Sequence, residues 1–306
     1  MKCGLYETDI TPTLGSEIPG QFYMRISDGI HDKLYAHALY MCNDKDEKVI
    51  IVSCDSILLP DETAEEARTV LSERIGVKKE CIMLVATHTH TGGPVETWDE
   101  FVHMDEKYVD FLKSRIIDAA CMAEKEQRSV RIGYAKGYED RVAYYRDFVF
   151  SDGRYRTNPG LGGDKKPYGD IDPEVGVLRI DCEDGTPYGA IVNYTCHCDC
   201  VGGTKYSADY PGAMKQTLKK VYGDGFIPVY INGFCGNINP IERALEGCAV
   251  RAAEKLYNRS RQLLETGSAL DIPDMDACGA FLPIDLLPLT IDRLEQEYKD
   301  SLKENN

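Results

Sequence analysis

The sequence lacks any run of about 18 uninterrupted apolar residues, the length a helix needs to cross a bilayer, so no membrane span is expected. Its opening residues, MKCGLYETDITP, hold no apolar segment of the kind that marks a secretory signal, and that export route is not expected either. Positive charge is scarce: 35 lysines and arginines face 51 acidic residues, a formal net charge of −16. A field of that sign repels phosphate at long range, which argues against nucleic acid or an anionic membrane as partner. Internal repeats and low-complexity linkers are missing, and 306 residues can bury one large core. A disulfide framework is missing as well. The 12 cysteines sit singly inside apolar runs such as VSCDSILL, KECIMLVA and DAACMAEK, a placement that fits reduced thiols in a cytoplasm.

What is present reads as α/β: one large domain over residues 1–306, with mixed β-sheets flanked by helices. Leu34 to Cys42 and Lys48 to Cys54 flank the polar turn NDKDE and read as a hairpin. Asp61 to Ile75 opens on acidic residues, carries Ala64, Ala67, Val70 and Leu71 at helical spacing and stops before Gly76. Cys81 to Thr87 is apolar on both parities, as a strand covered on both faces should be. Alternating strand-like and helix-like segments in this half predict much parallel pairing. A helix over Glu106 to Glu126 and a strand over Val130 to Tyr134 follow. Lys136 to Asp172 shows neither period and is expected to be a long functional loop. Next come a hairpin (Val175 to Cys182, Tyr188 to Thr195), a helix (Tyr210 to Val221), a strand (Ile227 to Ile231) and a helix (Ile241 to Leu264). A strand at Ala277 to Leu282 and a helix at Ile291 to Leu302 complete the expectation.

Histidine is rare, with six in the chain, yet two stand one residue apart in ATHTHTGGP. In an extended strand residues two apart face the same way, so His88 and His90 are expected to project together from a strand's carboxyl end, where open α/β sheets place their sites. Such a pair can hold a divalent metal, or one ring can hold it while the other acts as a base. In NYTCHCDC the parity separates Cys196, Cys198 and Cys200, continuing the apolar face of Ala190, Val192 and Tyr194, from Asn193, Thr195, His197 and Asp199. The cysteines read as core packing, with a cysteine metal site as the alternative, and His197 faces a pocket. Asp55 after VIIVSC, and Asp209 with Ser207 in KYSADYPG, stand where a carboxylate serves as ligand, as partner to a histidine, or as helix cap. The glycines of INGFCGNINP allow backbone amides to approach a ligand, or simply a strand-to-helix turn.

Taken in order, DITP, GIHDKLYAHAL, VATHTHTGGP, NPG at Asn158, DPEVGVLRI, NYTCHCDC, YSADYPG and GNINP resemble the neutral/alkaline ceramidase family of zinc amidohydrolases, more closely its short bacterial members than the true ceramidases. The resemblance implies two sheets with outer helices and a Zn2+ site. His88 and His197 match the zinc ligands, and His90 the second, catalytic histidine. Arg146 in AYYRDF is the counterpart of an active-site arginine, although the asparagine-arginine pair expected there reads Tyr144-Tyr145. Asn239 stands where ceramidases carry a serine before proline, which turns the expectation away from ceramide. The family's remaining ligands, a glutamate and a tyrosine, come from segments beyond Asn306. If the chain is a fragment, two coordination positions are expected to face solvent; if it is complete, Asp55, then Asp209, are the expected substitutes. The expected function is zinc-dependent hydrolysis of a linear amide (N-acyl) bond in a small-molecule substrate, with Arg146 or the Asn237–Asn239 loop holding the oxyanion. The alternatives are a non-catalytic metal- or small-ligand-binding protein, and an esterase or lactonase.

Overall fold

The computed structural model describes residues 1–98, 100–243, 245–266 and 268–270. Among them nine strands form one mixed sheet. In chain order these are β1 (Lys2–Asp9), β2 (Tyr35–Cys42), β3 (Lys48–Cys54), β4 (Ile82–Ala86), β5 (Arg128–Tyr138), β6 (Glu174–Cys182), β7 (Pro187–Tyr194), β8 (Ile227–Asn232) and β9 (Ser268–Leu270). The helices are α1 (Asp61–Ile75), α2 (Glu106–Lys125), α3 (Asp209–Tyr222) and α4 (Cys248–Thr266). In space the strands run β8-β7-β6-β5-β1-β2-β3-β4, with β9 added to β5. No helix among the described residues is long and apolar enough to cross a membrane.

The alternation of side chains along each strand builds the layers. On β2, Ala36, Ala38 and Tyr40 join a core with Leu71 of α1 and Leu112 of α2, while Leu39 on the opposite parity enters a separate cluster with Leu5, Ile180, Ile191 and Val229. On β7, Ala190, Val192 and Tyr194 pack with Leu218 of α3 and Leu256 of α4, and Ile191 turns towards Leu39. The sheet thus curls so that its two halves face each other across the Leu39 cluster, with a helix pair outside each. Ser53 of β3 donates to the carbonyl of Tyr230 in β8 at 2.5 Å, joining strands from opposite ends of the order.

Local chemistry sets the helix bounds. Gly76 ends α1 in the left-handed region (φ 70°), its N–H returning to the Ser72 carbonyl. Asp105 caps α2 by accepting from the Lys107 and Tyr108 amides.

Three expectations need correction. Parallel pairing occurs in the sheet at β3–β4 and β7–β8, and the remaining pairs are antiparallel. The hairpins β2–β3 and β6–β7 force antiparallel neighbours, and only the crossovers through α1 and α3 return the chain in parallel. The segment 136–172 is not a bare loop: its first residues extend β5, and short strands at 143–145, 147–150, 155–157 and 165–167 follow, the first pairing with 238–240. The last described helix begins at Cys248, so residues 241–243 and 245–247 lie outside it. The strand expected at Ala277 to Leu282 and the helix at Ile291 to Leu302 lie outside the described residues.

β1, which periodicity did not reveal, lies centrally, and Gly4 lets α2 approach it. A Cβ at Gly4 would stand 1.7 Å from the Ala123 carbonyl oxygen, a backbone atom that cannot step aside. Gly4→Ala is therefore expected to lower unfolding stability by about 1–3 kcal/mol or more. Urea denaturation reads this, and an unchanged midpoint would show that α2 does not press on β1 in this way.

Candidate metal centre

β4 ends at Ala86 and β7 at Tyr194, and the segments that leave them run together. Thr89 and Cys198 form a parallel bridge, and the His90 amide donates to the Cys198 carbonyl at 3.0 Å. The place where the halves of the sheet meet is thereby the place where the three histidines meet. Their convergence does not come from an extended strand. His88 lies in the left-handed region (φ 67°), a conformation costly for a residue with a side chain, and its amide is held by the Ser56 carbonyl at 2.9 Å.

Each ring is pinned in the same way. Nδ1 of His88 lies 2.7 Å from the Ile57 carbonyl, Nδ1 of His90 2.7 Å from Gly20, and Nδ1 of His197 2.7 Å from Cys235 and 3.1 Å from Ile238. A carbonyl only accepts, so each Nδ1 carries the proton and each Nε2 keeps a lone pair. The three groups offer ligand atoms within 4.8 Å of one another, and Nε2 of His90 stands 3.4 Å from Nε2 of His88. Burial, then the His88 ring, pushes His90 down to about 3. Burial, then the His88 and His90 rings, pushes His197 down to about 4, and burial lowers His88 as well. Neutral rings with lone pairs aimed at one another repel unless a cation sits between them. The donor set therefore fits a metal ion, and borderline-soft imidazole nitrogens suit zinc among others.

The surroundings fix the rings further. Gly20 has φ 100°, and a Cβ there would lie 2.9 Å from the His90 ring. Arg25 donates to the His90 carbonyl at 2.6 Å and to that of Gly203 at 3.1 Å. Asp199, buried beside His90, accepts from Gln21 at 3.1 Å and pairs with Arg243; burial raises its carboxyl pKa against the pull of Arg243. The histidines open into a cavity of about 530 Å³, walled by Phe22, Trp98 and Phe101 as well as by Arg146, Asn158 and Asn239. Asn239, in the short strand 238–240 opposite Tyr144, donates to the Asn158 side chain at 2.8 Å. Arg243, Gln21, Arg25 and the aromatic wall did not emerge from the sequence, since nothing local marks them. Asp199 was visible only as a polar-face residue.

The expected sites thus divide. His88, His90, His197, Arg146 and Asn239 share one cavity. Asp55 and Asp209 do not join the three histidines. Both Asp55 oxygens lie 2.8 Å from Lys215 Nζ in a buried pair, and the Tyr35 amide donates to one of them, which leaves no free face for an ion. Asp209 accepts from the Val201 and Tyr210 amides and, with burial pushing it up to about 7, ties the start of α3 to the His197 segment. Cys196, Cys198 and Cys200 are wholly buried in the core under α3 and α4. Lys215→Met would strand the Asp55 charge and is expected to cost about 3–5 kcal/mol of stability. Metal content per folded chain should not change, and its loss in elemental analysis would return Asp55 to the ligand set.

No family model matches the chain. Among curated proteins it is 25% identical over 222 residues to "Neutral ceramidase A" of Dictyostelium discoideum, covering 69% of this chain and 30% of that protein. It is 24% identical over 238 residues to "Neutral ceramidase B" of the same organism, covering 72% and 32%. The chain spans about a third of the length of these relatives. In fold it matches the crystal structure of neutral ceramidase from Pseudomonas aeruginosa, with a TM-score of 0.72 at 20% identity, over 87% of this chain and 45% of the other. The chain thus resembles the N-terminal region of the neutral ceramidases in sequence and in fold.

Proposed function

We propose that the chain is a zinc-dependent hydrolase of an N-acyl amide bond, built as one domain around His88, His90 and His197. The observation that carries this reading is the set of three pinned, neutral imidazoles whose lone pairs face one another at the foot of a cavity. His88 and His197 are the proposed ligands, and the kinship with ceramidases favours amide chemistry. A bound zinc would supply Lewis-acid polarisation of the carbonyl and ease deprotonation of water near neutral pH.

The chain's own groups do the rest. His90 takes a proton from the attacking water and passes it to the departing nitrogen. The water oxygen becomes bonded to the acyl carbon, the C–N bond breaks, and the products are a carboxylate and an amine. The Asn237–Asn239 loop is the proposed donor to the carbonyl oxygen as charge gathers there, a role worth about 3 kcal/mol for a well-placed donor. Burial keeps that charge among fixed dipoles rather than mobile water. Since Asn239 stands in the place of the ceramidase serine, long-chain ceramide is not the proposed substrate.

Elemental analysis and an amide-hydrolysis assay test this together. Wild type should hold about one zinc per chain, and His88→Ala or His197→Ala should remove it. His90→Ala should keep the metal yet lose about 10²–10⁴-fold in rate. Loss of zinc from His90→Ala would make His90 a third ligand, and an unchanged rate would remove it from the chemistry. Brisk ceramide turnover by the purified chain would overturn the assignment of Asn239.

A further inference from the structure

We propose that the cavity takes an N-acyl amino acid, with the substrate's carboxylate on Arg146 and its acyl chain against Phe22, Trp98 and Phe101; this substrate class rests on the amide-hydrolase reading.

The polar wall is unfinished. Arg146 enters from the chain just after the short strand 143–145, its amide held by the Asn237 carbonyl at 2.9 Å. Among the described residues its guanidinium makes neither an ion pair nor a hydrogen bond, and its Nε is buried without a partner. Asn239, on the facing strand, gives one amide N–H to Asn158 and keeps a buried, unpartnered Oδ1. A free planar cation and a free acceptor on neighbouring strands call for a ligand with an anion close to an N–H. An amide N–H one carbon from a carboxylate has this pattern: Asn239 Oδ1 accepts from the amide, and the guanidinium fork receives the carboxylate.

Charge supports the same choice. Asp199 is the one acid among the described cavity residues, and Arg243 already pairs with it, so the Arg146 charge stands uncompensated. An amide with a neutral alcohol on its amine side would leave that half-buried cation without an anion and forgo a charge-assisted contact. The other wall is apolar. Phe22 is almost fully exposed at the rim and follows Gly20, whose carbonyl holds His90, so the chain of the acyl group runs out on the His90 side. Arg146 and Asn239 lie on the His197 side, where Ile238 holds that ring. A substrate laid between the walls places its amide over the three histidines.

Calorimetric titration of zinc-loaded protein with N-octanoylglycine and with N-octanoylethanolamine tests this without requiring turnover. The glycine conjugate should bind at least about tenfold more tightly, the worth of one charge-assisted bidentate contact. Arg146→Met should erase the difference, and Arg146→Lys should keep part of it. If Arg146→Met does not fold, salt serves instead: affinity for the glycine conjugate of wild type should fall from low to high salt while that for the neutral conjugate holds. Equal affinities, or a preference that survives Arg146→Met, overturn the proposal. A binding preference without hydrolysis of either compound sinks the hydrolase reading and leaves this assignment standing. Hydrolysis without the preference does the reverse.

Discussion

Three imidazole N–H groups bonded to four backbone carbonyls organise this protein's chemistry. Each bond fixes a tautomer, and each tautomer decides which nitrogen faces the cavity. The carbonyls come from Gly20, Ile57, Cys235 and Ile238, in chain segments far apart in sequence. Orientation is thus set by backbone, which side-chain substitution changes little, and the ring nitrogens stay ready to bind without any acidic partner. Depressed basicity follows from burial, so protons do not compete for the lone pairs at neutral pH.

The curled sheet makes those carbonyls available. β4 and β8 stand at the two ends of the strand order, yet the curl brings β3 against β8 and lets the segments after β4 and β7 pair through Thr89 and Cys198. Both parallel pairs, β3–β4 and β7–β8, sit at these ends. Their crossover helices lie on opposite outer faces, which leaves the carboxyl ends of the strands uncovered for a site. Buried ionic chemistry away from the cavity, such as the Asp55–Lys215 pair, then serves to hold β3 to α3.

Much of this was legible in the chain because the deciding signals were local. Residues 61–75 declared α1 by acidic opening, apolar spacing and terminal glycine, and the hairpins declared themselves by alternation around polar turns. Parity in NYTCHCDC separated three core cysteines from His197. The limits were equally physical. His88 and His90 converge through a left-handed residue that no periodicity encodes, so the right pairing was expected for the wrong geometric reason. Asp55 ends its strand as a ligand would, but its partner Lys215 is 160 residues away. Separation from their partners in sequence likewise hid Arg25 and Arg243, whose roles exist only after folding. A helix expected from Ile241 does not begin until Cys248, and the non-helical start is what delivers Arg243 to Asp199.

The bridge between Thr89 and Cys198 has a consequence for how the molecule holds together. His88 belongs to one half of the sheet and His197 to the other, so any ion gripped by both rings closes a loop of roughly one hundred residues by coordination, a closure whose entropic penalty grows only slowly with length. It acts as a removable clasp. The grip on the ion and the coherence of the two halves are then a single equilibrium, in which loosening the fold releases the ion and supplying the ion tightens the fold.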